Sequence, residues 1–249
     1  MTPASGQATS ISVGSGAMAV ELRVLDAPEQ VAAAALDVIV SAVRAAIADR
    51  GVAHVSLAGG NTPKRTYQEL GGALGSWEGV ELWFNDERAV PPDDPQSNFK
   101  MVAEALGDHP VLHRIVGEAD PENAAQAYER ELRARIESTA EAGVPVFDLH
   151  VLGIGEDGHT ASLFPGHPEV QITDRLAVPV HDSPKPPPTR ITLTLPVLQV
   201  ARERVFLATG SDKAGPVSVL VAGPNPDYPS SLVGSENTLV LADPAAAGR

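Results

Sequence analysis

Residues 54–74 read HVSLAGGNTPKRTYQELGGAL. HVSLA is a short, nearly unbroken apolar run, which suits a strand covered on both faces. It runs straight into Gly59-Gly60-Asn61. Thr62 is then a good helix N-cap, Pro63 suits the first helical position, and Tyr67, Leu70 and Leu74 share one face of a helix over 63–74. Strand, tight glycine loop, helix: the unit predicts an α/β architecture in which the loop stands at the carboxyl end of a buried strand.

The same alternation extends along the chain. Strands are expected at 20–25 (VELRVL), 80–84 (VELWF), 147–153 (FDLHVLG), 176–180 (LAVPV), 190–195 (RITLTL), 204–209 (RVFLAT) and 238–242 (TLVLA). Between them fall helical patterns. Asp26 and Glu29 have capping-box spacing, and Leu36, Val40, Val43 and Ile47 form the apolar stripe of a helix ending at Gly51. Asp120-Pro121 opens another, with Ala125, Tyr128, Leu132 and Ile136 on one face, and further helices are expected at 96–106 and 212–221. The fold predicted is a Rossmann-like, doubly wound α/β sheet, mostly parallel and flanked by helices. Residues 1–18 are small and polar and predict a disordered tail, with Met18 a possible alternative start. Residues 19–249 predict a single α/β domain.

Composition narrows the function. The 249 residues, 43% hydrophobic, suffice for a sizeable core. There is no cysteine, so disulfides, thiolate metal sites and cysteine nucleophiles are excluded. A net charge of −14 makes nucleic acid and anionic membrane poor partners. No uninterrupted apolar run reaches the ~18 residues of a membrane span. The location expected is the cytoplasm. In so acidic a chain, basic residues in glycine-rich loops carry extra information.

Ligands of doubly wound sheets bind beyond the carboxyl ends of the strands, so the loops following 54–58, 80–84 and 147–153 should share one edge. In the first, Gly59, Gly60, Asn61 and Thr62 suit either an ordinary capped turn or the close approach of an anion to a helix start. In the second, Asn85-Asp86-Glu87-Arg88 is either a solvated turn or a site. Arg88 would meet developing negative charge, and Asp86 would orient a base or bind a sugar hydroxyl. The third, GIGEDGHTASLFPG (153–166), carries His159, a residue type that exchanges protons near neutral pH, with Asp157 two residues before it. Glu156 has no evident role and is expected to face solvent. Arg190 follows a stiff proline-rich loop, and Lys213 follows TGSD at a helix start. Each is either a surface charge or a phosphate ligand. There is no GxSxG elbow and no HExxH, which leaves attack by an activated water as the simplest chemistry.

Five segments, SLAGGNTP, WFNDERAVP with Ser97-Asn98, GIGEDGHTASLFPG, SPKPPPTRITLTLP and TGSDKA, together resemble in order the motif set of the 6-phosphogluconolactonases, over about residues 54 to 214. The resemblance implies a fold of the sugar-phosphate isomerase/lactonase type, shared with the glucosamine-6-phosphate deaminases. It implies hydrolysis of 6-phospho-D-glucono-1,5-lactone to 6-phospho-D-gluconate, the second step of the oxidative pentose phosphate pathway, with no metal and no organic cofactor. By that carry-over His159 is the base that activates water, and Asp157 and Arg88 are its companions. Gly59, Gly60, Asn61, Thr62, Asp86, Arg190 and Lys213 bind the substrate and its phosphate. The partner implied is a small sugar-phosphate lactone, and the chain a monomer or weak homodimer. Gly215-Pro216 departs from the family's pattern and puts the aim of Lys213 in question. The rival reading is a deaminase, which would carry an FNEPG-like run where this chain has SLFPG (162–166) and DEY where it has DER (86–88). A non-catalytic sugar-phosphate sensor on the same scaffold is the other alternative.

Overall fold

A computed structural model describes residues 9–12, 20–107, 110–139, 142–234 and 236–249. The strands are β1 (Thr9–Ser12), β2 (Glu21–Val24), β3 (Ala53–Leu57), β4 (Val80–Phe84), β5 (Asp86–Arg88), β6 (Val111–His113), β7 (Phe147–Gly153), β8 (Ala177–Val180), β9 (Arg190–Leu193), β10 (Ala201–Ala208) and β11 (Thr238–Ala242). The helices are α1 (Pro28–Arg50), α2 (Asn61–Leu74), α3 (Asn98–Leu106), α4 (Pro121–Arg135), α5 (Leu195–Gln199), α6 (Ala214–Ala222) and α7 (Pro229–Val233). Eight strands form one sheet in the order β1-β2-β11-β10-β7-β3-β4-β6, parallel throughout except for β1 against β2. All five residues of β3 are buried, as are the first six of β7, which is why these strands read as continuous apolar runs.

The order places the site. From β3 the chain winds outward through α2, β4, α3 and β6, whereas from β7 it winds the other way through β10 and β11. β3 and β7 are neighbours. Their following loops therefore diverge and open a crevice at the carboxyl edge. Two buried tyrosines fix strand ends beside it. Tyr67 of α2 accepts from the Ala58 amide and donates to its carbonyl, and Tyr128 of α4 does the same at Phe84. Each such bond contributes about 1 kcal/mol.

Several local expectations are corrected. Asp86-Glu87-Arg88 is not a loop. It is β5, which pairs antiparallel with β9, itself paired with β8, so DER, RITLTL and LAVPV build a separate three-stranded sheet. In α2 the N-cap is Gly60 (φ 113°), not Thr62, and Pro63 sits in the third helical position. Because Gly60 turns the chain, the Thr62 hydroxyl is free to bond Thr209 at 2.9 Å. No capping box forms at α1. Its N-cap is Ala27, and Gln30 reaches back to accept from the Asp26 amide.

The buried face of α1 is also shifted. Val31, Ala35, Ile39, Ala42, Val43 and Ala46 are buried, whereas Leu36, Val40 and Ile47 are only partly so. Alanines let the helix approach the sheet closely, and the larger side chains fill its flanks. By length and composition α1 would also cross a bilayer even though Asp37 and Arg44 interrupt its apolar run, but this face packs on the sheet and both charges are exposed. Residues 9–12 of the expected tail form β1. Its other residues, Met18 included, lie outside the described residues.

Candidate active site

His159 follows β7 at the crevice. Its Nδ1 lies 2.5 Å from Asp157 Oδ1, and its backbone amide donates to the same oxygen at 3.2 Å. With a carboxylate at Nδ1, that nitrogen carries the proton and Nε2 keeps its lone pair. Burial opposes ionisation of Asp157, but the hydrogen bond from His159, joined by the charge of the ring whenever that ring is protonated, overcomes it and holds the carboxyl well below the usual range. The glycines explain why the motif takes this form. A Cβ on Gly155 would lie 2.0 Å from His159 Nδ1 and 2.5 Å from Asp157 Oδ1, so only glycine lets the pair fold over the loop backbone. Gly158 has φ 84°, and a Cβ there would meet Tyr228 at 2.4 Å.

β5 brings in the second group. Asp86 is buried. It accepts from Asn98 Nδ2 at 3.1 Å and from Ser162 Oγ at 2.6 Å, joining the loops after β4 and β7 to α3. Glu87, beside it, closes off the start of α3. It accepts from the amides of Arg88, Asn98 and Phe99 at 2.7 Å each and from Ser97 Oγ at 3.0 Å. Burial pushes its carboxyl up from the ordinary value, against the pull of the three amides. In the β5–β9 register Arg88 stands opposite Arg190.

Arg190 is buried, and its guanidinium is held by the carbonyls of Lys185 (2.9 Å), Pro186 (3.3 Å) and Pro187 (3.2 Å) and by Ser162 Oγ (3.4 Å). Burial pulls its pKa down, as does neighbouring Arg88, against the charge of Asp86. Arg88 donates to the Gln96 carbonyl at 2.5 Å, while its Nε is buried without a hydrogen-bond partner.

These groups share a cleft of about 160 Å³. Its walls include Gly59, Gly60, Asp86, Arg88, His159 and Arg190, and also Asn98 and Ala161. Gly59 is required there, because a Cβ would lie 2.0 Å from Asn98 Oδ1. No side chain caps α2, so its first-turn amides add positive potential to the cleft. A larger groove, about 490 Å³, lies at the opposite edge by the starts of β2, β10 and β11. It offers no histidine, and Arg204 beside it is committed to the carbonyls of Leu198, Gln199 and Glu236. Convergent chemistry, not size, makes the smaller cleft the candidate site.

Of the residues expected at the site, His159, Arg88, Asp86, Gly59, Gly60 and Arg190 line the cleft, and Asp157 backs His159. Asn61 and Thr62 begin α2 just behind it. Lys213 does not line it. The lysine sits on the same edge after β10, with Nζ paired to Asp212 at 2.7 Å. Pro216 occupies the third position of α6, where it is tolerated. Glu156 is exposed and pairs with Lys185 at 3.0 Å. Sequence reasoning missed Asn98 as a wall, Ser162 as the link between Asp86 and Arg190, and Tyr228 as the prop beneath Gly158. Asn98 and Ser162 lay inside quoted motifs. Tyr228 lies in VAGPNPDYPSS (221–231), whose richness in proline points to no partner.

An open, mostly parallel α/β sheet with a histidine–carboxylate pair and two arginines at its switch point defines a hydrolytic or isomerising enzyme for a small anionic ligand. The family model for glucosamine-6-phosphate isomerases/6-phosphogluconolactonase matches residues 26–241. The 6-phosphogluconolactonase of Streptomyces coelicolor is 39% identical over 237 residues, 89% of this chain and 91% of that protein. That of Mycobacterium tuberculosis is 40% identical over 227 residues, 85% and 90% of the two chains. The crystal structure of 6-phosphogluconolactonase from Leishmania guyanensis superposes with a TM-score of 0.81 at 31% identity, covering 91% of this chain and 97% of that one. The chain belongs to the glucosamine-6-phosphate isomerase/6-phosphogluconolactonase family.

Proposed function

We propose that the protein hydrolyses 6-phospho-D-glucono-1,5-lactone to 6-phospho-D-gluconate, and that His159 is the general base. The observation that carries this reading is the His159–Asp157 pair, set in a cleft with Arg88 and Arg190. Relatives at 39–40% identity over most of both chains bear the lactonase name. SLFPG and DER, in place of deaminase-like FNEPG and DEY, support the same choice.

The geometry supports the following course. His159 Nε2 takes a proton from water as the water oxygen bonds to the lactone carbonyl carbon. Asp157 holds the imidazole in the required tautomer and offsets the charge it gains. The oxyanion forms among the amides of the glycine loops and Arg88. Collapse breaks the bond from that carbon to the ring oxygen, which takes the proton back from His159. A carboxylic acid results and ionises. Arg190, the start of α2 at Gly59, Gly60, Asn61 and Thr62, and Lys213 hold the phosphate, with Lys213 exchanging Asp212 for it. Asp86, anchored by Asn98 and Ser162, accepts from a sugar hydroxyl. Residues 19–249 act as one catalytic domain, in the cytoplasm, as a monomer or weak homodimer. The ligand is a small sugar phosphate, and the net charge of −14 disfavours nucleic acid and anionic membrane.

The test is lactone loss with purified protein at slightly acidic pH, where spontaneous hydrolysis is slow. A rate well above the blank for the phosphorylated lactone, and far lower for the unphosphorylated one, is expected. A rate equal to the blank for both overturns the proposal.

A further inference from the structure

Nothing intrinsic fixes a histidine ring about its second side-chain torsion, because such torsions have broad minima. In this cleft one hydrogen bond, Nδ1 to Asp157, restrains the His159 ring, and Asp157 rides on the same loop two residues away. The second restraint is Phe164. Its side chain is fully buried, and its ring centroid lies 4.7 Å from that of His159 at an interplanar angle of 43°.

The segment that carries Phe164 is tied to β9 as well as to its own loop. The Ser162 amide donates to Thr192 Oγ1 on β9 at 3.1 Å, the Leu163 amide to the Thr160 carbonyl at 3.0 Å, and the His167 amide to the Phe164 carbonyl at 3.2 Å. The Arg190 guanidinium carbon lies 5.6 Å from the same ring centroid. One ring thus touches both the proposed base and the proposed phosphate ligand. Their dependence on it differs. Arg190 keeps the carbonyls of Lys185, Pro186 and Pro187 and the Ser162 hydroxyl without it, whereas the His159 ring, among the described residues, keeps only its hydrogen bond to Asp157.

We propose that Phe164 is a positioning residue for lactone hydrolysis. Its ring packs at a tilt against the His159 imidazole and holds it where Nδ1 meets Asp157 and Nε2 is left to the cleft. This rests on the assignment of His159 as base. Removing the aromatic face then loosens the base without dislodging the phosphate ligand, so kcat suffers and KM does not.

Phe164→Leu tests this, because leucine keeps the site apolar and fills most of the volume. The expected result is a kcat lower by roughly ten- to a hundredfold, since misplacement by about 1 Å costs that order. KM stays within about twofold, the signature of an interaction that serves only the chemical step. A cooperative melt of the variant checks the fold. Unchanged kcat, or a raised KM at unchanged kcat, overturns the proposal. Should Phe164→Leu not fold, Phe164→Met is assayed in the same way, and proton Overhauser contacts between the His159 and Phe164 rings are measured in the wild type. Their presence supports the packing and their absence overturns it. Failure of the underlying reading is seen separately. A wild-type rate equal to spontaneous hydrolysis removes the base assignment before any variant is compared, and the proposal falls with it.

Discussion

Replacing Gly155 with alanine adds one methyl group where the structure leaves no room for it. The new Cβ would lie 2.0 Å from His159 Nδ1, 2.3 Å from its Cε1 and 2.5 Å from Asp157 Oδ1, where ordinary contact begins at 3.4 Å. The backbone at Gly155 is not in the left-handed region, so alanine is conformationally tolerated and the effect is steric. The ring must retreat by roughly 1.4 Å, the shortfall at Nδ1. That is enough to break the 2.5 Å bond to Asp157 or to turn Nε2 away from the cleft. A displacement of this size predicts a loss of about 100-fold in kcat. The control is Gly72→Ala on the exposed face of α2, where a Cβ meets nothing within 4 Å. There alanine should raise stability by up to about 1 kcal/mol and leave the rate alone. Steady-state lactone hydrolysis measures both, with thermal melts confirming that each variant folds. A folded Gly155→Ala protein that turns over within threefold of wild type would refute the role given to the histidine–aspartate geometry.

Gly59→Ala drives a Cβ to 2.0 Å from Asn98 Oδ1 and should raise KM more than it lowers kcat, because it disturbs a binding wall and not the base; a kcat-only defect in steady-state kinetics contradicts this. Arg190→Ala should raise KM for the phosphorylated lactone and leave the unphosphorylated one unaffected, so equal losses on both substrates count against a phosphate role. Beneath the cleft, buried His150 donates Nε2–H to the Val197 carbonyl at 3.1 Å, and Ser56 Oγ, which donates to Asn85 Oδ1 at 2.5 Å, lies against its Nδ1. Burial pushes the His150 pKa down to about 3. The unfolded chain therefore binds the extra proton from about pH 6.5 downward while the folded one does not, and stability falls as pH falls. Between pH 7 and 5 the loss from this residue is about 2 kcal/mol. His54, also lowered by burial, acts in the same direction. Denaturant midpoints at the two pH values should show the slope, and His150→Gln should flatten it; an equally steep slope in that variant rules the residue out.

The strands buried on both faces were plain in the sequence, because β3 and β7 alternate nothing and need not. The three loops at the carboxyl edge followed from the strands, whereas their convergence is set by the strand order, with the switch between β3 and β7, which no sequence pattern carries. Pattern failed where charge hides a strand. Asp86, Glu87 and Arg88 have the composition of a turn, yet each finds buried or half-buried partners in β9, α3 and the loop after β7. It failed again in α1, where alanines carry the buried face and a stripe of larger residues marks the flanks. Lys213 was placed at the correct edge, but sequence could not show that its ammonium is taken by its neighbour Asp212. Tyr228 was out of reach for a similar reason. Its contact with Gly158, and the Ser230 amide bond to the Gly158 carbonyl at 2.9 Å, join segments about seventy residues apart through a turn that only the fold brings near.

The central claim is that His159 removes the proton from the attacking water. The most direct measurement compares kcat of His159→Ala with wild type on the phosphorylated lactone, alongside the affinity of each for 6-phosphogluconate by calorimetry. The account predicts a fall of roughly 10²- to 10⁴-fold in kcat, with product affinity nearly unchanged because Arg190 and the start of α2 remain in place. A His159→Ala protein that keeps its turnover would contradict it.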